Sequence, residues 1–136
     1  MSLKKYSLVE KAKLHLLDAA GNLMYVDEHE KKPVTIDLYG IGSKQYQAAE
    51  RRRQDAFASK FKRYKNKTIP VEEIEEIRID FLVGCVASSE NFTLDGLEGE
   101  ELYRTVFTDR SLVFIAEQVE KFIGDQANFM QKPLKN

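Results

Sequence analysis

Charge along this chain is sorted by position. Between Lys44 and Lys67 stand nine Lys or Arg, including the triplet Arg51, Arg52 and Arg53, and only Glu50 and Asp55 oppose them. Between Glu72 and Glu101 the balance inverts to ten Asp or Glu against Arg78 alone. The formal net charge is −1, so the split is a dipole along the sequence rather than an excess of one sign. A chain built this way can pair head to tail with copies of itself, or offer each stretch to a different partner. We expect partner or subunit contacts at Arg51, Arg52, Arg53, Glu72, Glu73 and Glu76.

With 136 residues and 43% hydrophobic content, the chain reads as a single domain, 1–136, able to build a core without staples. Its one cysteine, Cys85, lies in the apolar run 81–87 and reads as a small buried hydrophobe. No apolar stretch has the length of a signal peptide or of a membrane span, so a soluble cytoplasmic protein is expected.

Residues 11–17 alternate, with Ala12, Leu14 and Leu16 on one face and Lys11, Lys13, His15 and Leu17 on the other. Residues 34–39 do the same, with Val34, Ile36 and Leu38 inward and Thr35 and Asp37 outward. Period two over such runs predicts half-buried strands. Leu23–Val26 is a candidate third strand, and 27–32 reads as a charged loop. After Gly40–Gly42, Ser43 should cap a helix running to about Lys65. Its apolar stripe of Tyr46, Phe57 and Tyr64 has Arg53 in the middle, with Ala49 and Phe61 at the margins. A guanidinium there must snorkel, pair with an acid such as Asp80, or meet a neighbouring subunit. Asn66–Thr68 should break this helix, and Pro70 should open the next. There, Glu72, Glu73, Glu75 and Glu76 crowd the positive end of the helix dipole. The buried face of that second helix is predicted at Val71, Ile74, Ile77 (or Arg78), Phe81 and Cys85, with helix continuing through Ala87. Residues 88–96 read as a loop turning at Asp95-Gly96. A short helix follows over 98–107, with Leu102, Val106 and Phe107 inward. A last helix, capped by Thr108 or Asp109, carries Leu112, Ile115, Ala116, Val119, Phe122 and Ile123 on one stripe. Residues 131–136 are expected to form a flexible tail. The fold class is therefore α+β: an N-terminal antiparallel β element of two or three strands, then about four helices.

No arrangement of residues signals catalysis. His15 and His29 are the only histidines. The Asp27-Glu28-His29-Glu30 loop is a weaker metal candidate than a solvated loop, because four adjacent loop residues rarely converge on one ion. Gly40-Ile41-Gly42-Ser43-Lys44 lacks the spacing of a phosphate loop. We expect no catalytic residue, cofactor or metal. The basic helix 44–67 has cations interleaved with aromatics, as nucleic-acid binding requires. Its cations point almost all round, however, and its aromatics share the stripe the helix needs for packing. Nucleic acid is therefore the less favoured partner.

The segment Ser43-Lys44-Gln45-Tyr46-Gln47-Ala48-Ala49-Glu50-Arg51-Arg52-Arg53-Gln54 resembles small tail assembly chaperones of long-tailed bacteriophages. So do the opening Tyr6-Ser7-Leu8-Val9-Glu10 and the late stretch Phe122-Ile123-Gly124-Asp125-Gln126-Ala127-Asn128-Phe129. The order of parts is similar along nearly the whole chain. Relatives commonly carry a tryptophan after the middle helix; here Ala87-Ser88-Ser89 stands in its place. The resemblance implies a non-enzymatic protein that binds the long helical tape measure protein in the host cytoplasm. It further implies self-association into curved or spiral multimers and absence from the finished virion. This chain would be the short form encoded before a programmed frameshift. The alternative is a small nucleic-acid-binding phage protein using helix 44–67.

Overall fold

A computed structural model of the chain describes residues 2–27, 29, 31–65 and 67–131. The expectations for Glu28 and Glu30, for Asn66 and for the tail over 132–136 lie outside these residues. Strands β1 (Lys11–His15) and β2 (Thr35–Tyr39) lead to helices α1 (Lys44–Tyr64) and α2 (Val71–Gly84). Strand β3 (Val86–Glu90) then precedes helices α3 (Gly99–Thr108) and α4 (Val113–Gly124). Among the described residues the class is α+β, an antiparallel sheet of order β1-β2-β3 with four α-helices.

The central strand β2 pairs with β1 in the register Leu14↔Ile36 and Ala12↔Leu38, which sets both apolar alternations on one face. Thr35, expected on the outer face, is buried as well. Two further expectations are corrected. The third strand is β3, not Leu23–Val26, which makes only isolated bridges from Leu23 to Leu17 and from Tyr25 to Pro33. The apolar run 81–87 does not stay helical. Helix α2 ends at Gly84, and the Cys85 carbonyl accepts from the Tyr39 amide at 2.8 Å. Pairing with β2 decides the conformation of this serine-rich segment, as tertiary context does for strands generally. Its register steps from Asp37↔Ser88 to Leu38↔Val86, leaving Ala87 as a bulge.

The core joins the inner sheet face (Leu16, Ile36, Leu38) to Leu82, Val106, Ile115 and Val119 of the helices. Cys85 is fully buried in it, and desolvation pushes its thiol up to about 12. The stripes of α3 and α4 face inward as the periodicity predicts, and Asp95-Gly96 turns with both φ values positive. The predicted buried face of α2 fails at its start, where Val71 is 70% and Ile74 38% exposed. The buried residues are instead Ile77, Ile79, Phe81, Leu82 and Val83. Helix α2 lies between α1 and the α3–α4 pair, and its first turns are separated from α3 and α4 by a groove.

The two chain ends close on each other. The Val9 amide donates to the Phe129 carbonyl at 2.7 Å, and the Gly40 amide to the Glu10 carbonyl at 2.9 Å. Ser43 donates its hydroxyl to the Gly40 carbonyl at 2.8 Å and accepts from the Tyr46 amide, capping α1 as expected. The Phe129 ring fills the space beside Gly40, where a Cβ would sit 2.6 Å from it. Gly40→Ala is therefore expected to destabilise the fold by about 1–3 kcal/mol, as overpacking does. Chemical denaturation should also show a smaller penalty for Gly40→Ala when Phe129 has already been shortened to Leu.

Candidate functional site

The charged stretches meet in the hairpin of α1 and α2. These helices run antiparallel, so residues late in α1 meet residues early in α2. At the Gly84 end, a Cβ would lie 3.0 Å from the Ala49 Cβ, so glycine permits the close approach of the two backbones. Ala49 is the one fully buried residue of α1, which packs chiefly on α2.

Midway along the seam, the Arg53 guanidinium lies 3.8 Å from the centre of the Phe81 ring and hydrogen-bonds Glu50. Phe81 in turn meets the Tyr46 ring edge to face at 5.5 Å. Asp80, the acid expected to pair with Arg53, instead holds Arg104 of α3 at 2.6 Å. The i, i+3 spacing places Glu50 within reach of Arg53 on its own helix, while Asp80 turns toward α3. The arginine in the apolar stripe is thus satisfied by a ring face and an intrahelical carboxylate.

At the hairpin tip, Lys60 donates to Glu73 Oε1 at 2.6 Å, the Tyr64 hydroxyl donates to Oε2, and Arg63 stands 3.9 Å away. The hydrogen bonds from Lys60 and then Tyr64 hold the Glu73 carboxyl below its ordinary range. The same bond to Glu73 pushes the Tyr64 hydroxyl up. Nothing in the sequence identifies this cluster, because its 13-residue Lys60–Glu73 separation depends on where the hairpin turns.

Of the six expected contact residues, Arg53 and Glu73 are engaged inside the hairpin. Arg51, Arg52, Glu72 and Glu76 are exposed, and none of them is in an ion pair among the described residues. Two apolar features accompany them. Phe57 stacks on Phe61 at 6.3 Å between centroids, and Phe61 remains 59% exposed. On the helix wheel Phe57 and Phe61 share a flank of the hairpin with Ile74. On the far side of α2, a groove of about 790 Å³ runs between its first turns, the end of α3 and the start of α4. Val71 and Val113 line it beside Glu72, Glu76 and Arg110. Arg78 spans one edge, reaching Glu120 of α4 at 2.8 Å and Glu75 at 3.4 Å. Both surfaces expose apolar residues flanked by charges of both signs.

Two outcomes follow from the seam. Arg53→Ala should cost about 1 kcal/mol by removing the cation from the Phe81 face. Arg53→Lys should recover part of that loss in urea unfolding. A carboxylate with a depressed pKa stabilises the fold above its unfolded value of about 4.3, and that contribution disappears as pH falls through the folded value. Glu73→Gln is therefore expected to lower stability at neutral pH and to flatten the loss between neutrality and about pH 3. Unfolding midpoints measured at the two pH values check this.

Compared with protein-family models, curated proteins and solved structures, the chain matches none of them.

Proposed function

We propose that this chain is a non-enzymatic tail assembly chaperone of long-tailed bacteriophages. It binds the tape measure protein in the host cytoplasm, associates with copies of itself and is left out of the finished virion. On this reading the chain is the short form made before a frameshift. The proposal starts from the three segments that resemble such chaperones, 6–10, 43–54 and 122–129. The fold lends it support by joining them at one junction. Val9 bonds Phe129, Phe129 packs on Gly40, and Gly40 bonds both Glu10 and the Ser43 cap of α1.

The observation that carries the reading is the attachment of α1. This 21-residue helix has one fully buried residue, Ala49, and leaves Phe61 exposed near the hairpin tip, on the flank it shares with the exposed Ile74. An amphipathic client helix can lay its apolar stripe along such a flank while charged neighbours set its orientation. Covering the client in this way keeps its apolar stripe from aggregating before the tail tube forms around it.

Helix α1 also offers a basis for the second reading, a nucleic-acid-binding protein, because Lys44, Arg51, Arg52 and Lys62 are exposed. That reading has less support. Lys60 and Arg63 face Glu73, Arg53 covers Phe81, and Tyr46 lies against Phe81 rather than open to a base.

Co-expression with a phage tape measure protein tests the proposal. The client should stay soluble and co-purify with the chain, and Phe61→Glu should reduce the amount recovered by about tenfold, as loss of a central aromatic anchor does. Recovery of insoluble client alone would refute the chaperone reading. Tight, salt-dependent binding of DNA or RNA in fluorescence anisotropy would favour the second.

A further inference from the structure

We propose that the free edge of β1 takes an extended segment of another protein, alternately apolar and acidic, as a fourth strand of the sheet. Strand β1 lies at one edge, with β2 on one side only. Successive residues of a strand turn their backbone groups to opposite edges. The Glu10 carbonyl accepts from the Gly40 amide, and the Leu16 amide donates to the Val34 carbonyl, so the even-numbered residues bond toward β2. The odd-numbered residues from Val9 to Leu17 therefore face the other way.

Both ends of that outer edge are closed. At one end the Val9 amide donates to the Phe129 carbonyl at 2.7 Å. At the other the Leu17 amide donates to Gln118 Oε1 at 2.7 Å, and its carbonyl accepts from Gln118 Nε2 at 2.6 Å. The glutamine amide makes the two bonds that a residue of a neighbouring strand would make. Between these ends, the outward amides and carbonyls of Lys11, Lys13 and His15 have no partner among the described residues. The core is open on the same side. Ala12 and Leu14 face inward yet are half-buried, whereas their partners in β2, Leu38 and Ile36, are 0% exposed. On α4, Phe114 and Phe122 stand one turn either side of Gln118 and are half-buried as well.

An added strand would satisfy the free backbone groups and cover the open side of the core together. Its residues opposite Ala12 and Leu14 turn inward and should be apolar. Those opposite Lys11 and Lys13 turn outward, where cross-strand pairing favours acids. Lys11 is in no ion pair among the described residues, and Lys13 makes only an exposed contact with Glu90 at 3.4 Å. The same lysines oppose a second copy at this edge, because pairing β1 with β1 would bring two lysine rows together. Such an extended segment is distinct from the helical client proposed above. Main-chain bonds would hold it, and the alternation of its side chains would select it.

A blocked peptide of about seven residues, alternating glutamate and valine, is long enough to span the open edge and serves as the probe. In nuclear magnetic resonance of the labelled chain, the Lys11, Lys13 and His15 amides should exchange rapidly when free and at least about tenfold more slowly with peptide bound. A peptide with lysine in place of glutamate should bind at least about tenfold more weakly, and Lys11→Glu with Lys13→Glu should reverse that preference. In antiparallel pairing, the residues opposite Lys11 and Lys13 exchange both main-chain bonds with them. Methylating the glutamate amides should therefore abolish binding, and methylating the valine amides should leave it. Circular dichroism establishes that the double variant is folded, and the methylated peptides need no variant at all. Failure of the glutamate–valine peptide to bind, or equal binding of the two methylated peptides, would overturn the proposal. So would slow exchange of the three amides in the dilute free chain, which would mean that the edge is already covered. Protection that rises with protein concentration alone would seat a second copy there and overturn it too.

Discussion

Gly84 has no side chain, and the α1–α2 hairpin depends on that absence. With Ala49 facing it, the two helix backbones approach closely enough to bring Arg53 over Phe81 and Lys60 to Glu73 along one seam. A methyl group at Gly84 would meet both Ala49 and the Arg52 guanidinium. Everything α1 presents to the outside follows from this contact, since α1 has little other attachment to the molecule. The same approach places α2 as the middle layer, with α1 on one side and the helices packed on the sheet on the other.

The charge split acquires a different meaning in this setting. Folding as an antiparallel hairpin turns a dipole along the sequence into a lateral pairing, and at the tip the basic and acidic stretches neutralise each other around Glu73. Only the charges that point away from the seam keep their sign available. Arg51 and Lys62 lie on the outer side of α1, and Glu72 and Glu76 on the side of α2 that faces the groove. The hairpin thus filters an evenly spread set of charges into two opposed surfaces, although no single face of the basic helix is strongly cationic by itself.

Local rules carried much of the fold. Ser43 was legible as a cap because a short hydroxyl before a helix satisfies an orphan amide, and the i, i+3, i+4 stripe of α4 needed nothing beyond its own spacing. The limits appear where a distant segment decides. Val86-Ala87-Ser88-Ser89-Glu90 has little β preference of its own and becomes a strand because β2 offers an open edge. Val71 and Ile74 keep helical period, yet periodicity does not say where the neighbouring helices stop, so both are exposed. The partner of Arg53 depended on hairpin register, which also hid the Lys60–Tyr64–Glu73 cluster. For the site, the sequence did not separate Arg51, Arg52, Glu72 and Glu76 from Arg53 and Glu73, because which charges turn into the seam depends on the hairpin, and the groove needed three elements brought together.

A protein that must cover an aggregation-prone helix faces a conflict between its own core and its client. Apolar surface kept for binding is surface withheld from folding. On the proposed reading, this chain separates the two demands in space. The sheet, the second half of α2, and α3 and α4 supply a closed core, locked at the chain ends by Phe129 against Gly40. A second exposed set, including Leu3, Tyr6, Val26 and Met130, lies outside the hairpin, while the exposed apolar residues Phe61, Val71, Ile74 and Val113 lie at the tip of the hairpin and in the groove beside it. Each lies near charged residues that keep the free surface hydrated. At the tip, the exposed apolar side chains stand apart from the Lys60–Tyr64–Glu73 cluster that holds the hairpin together, so it is at Phe61 rather than at Glu73 that a substitution can change binding while leaving the fold intact.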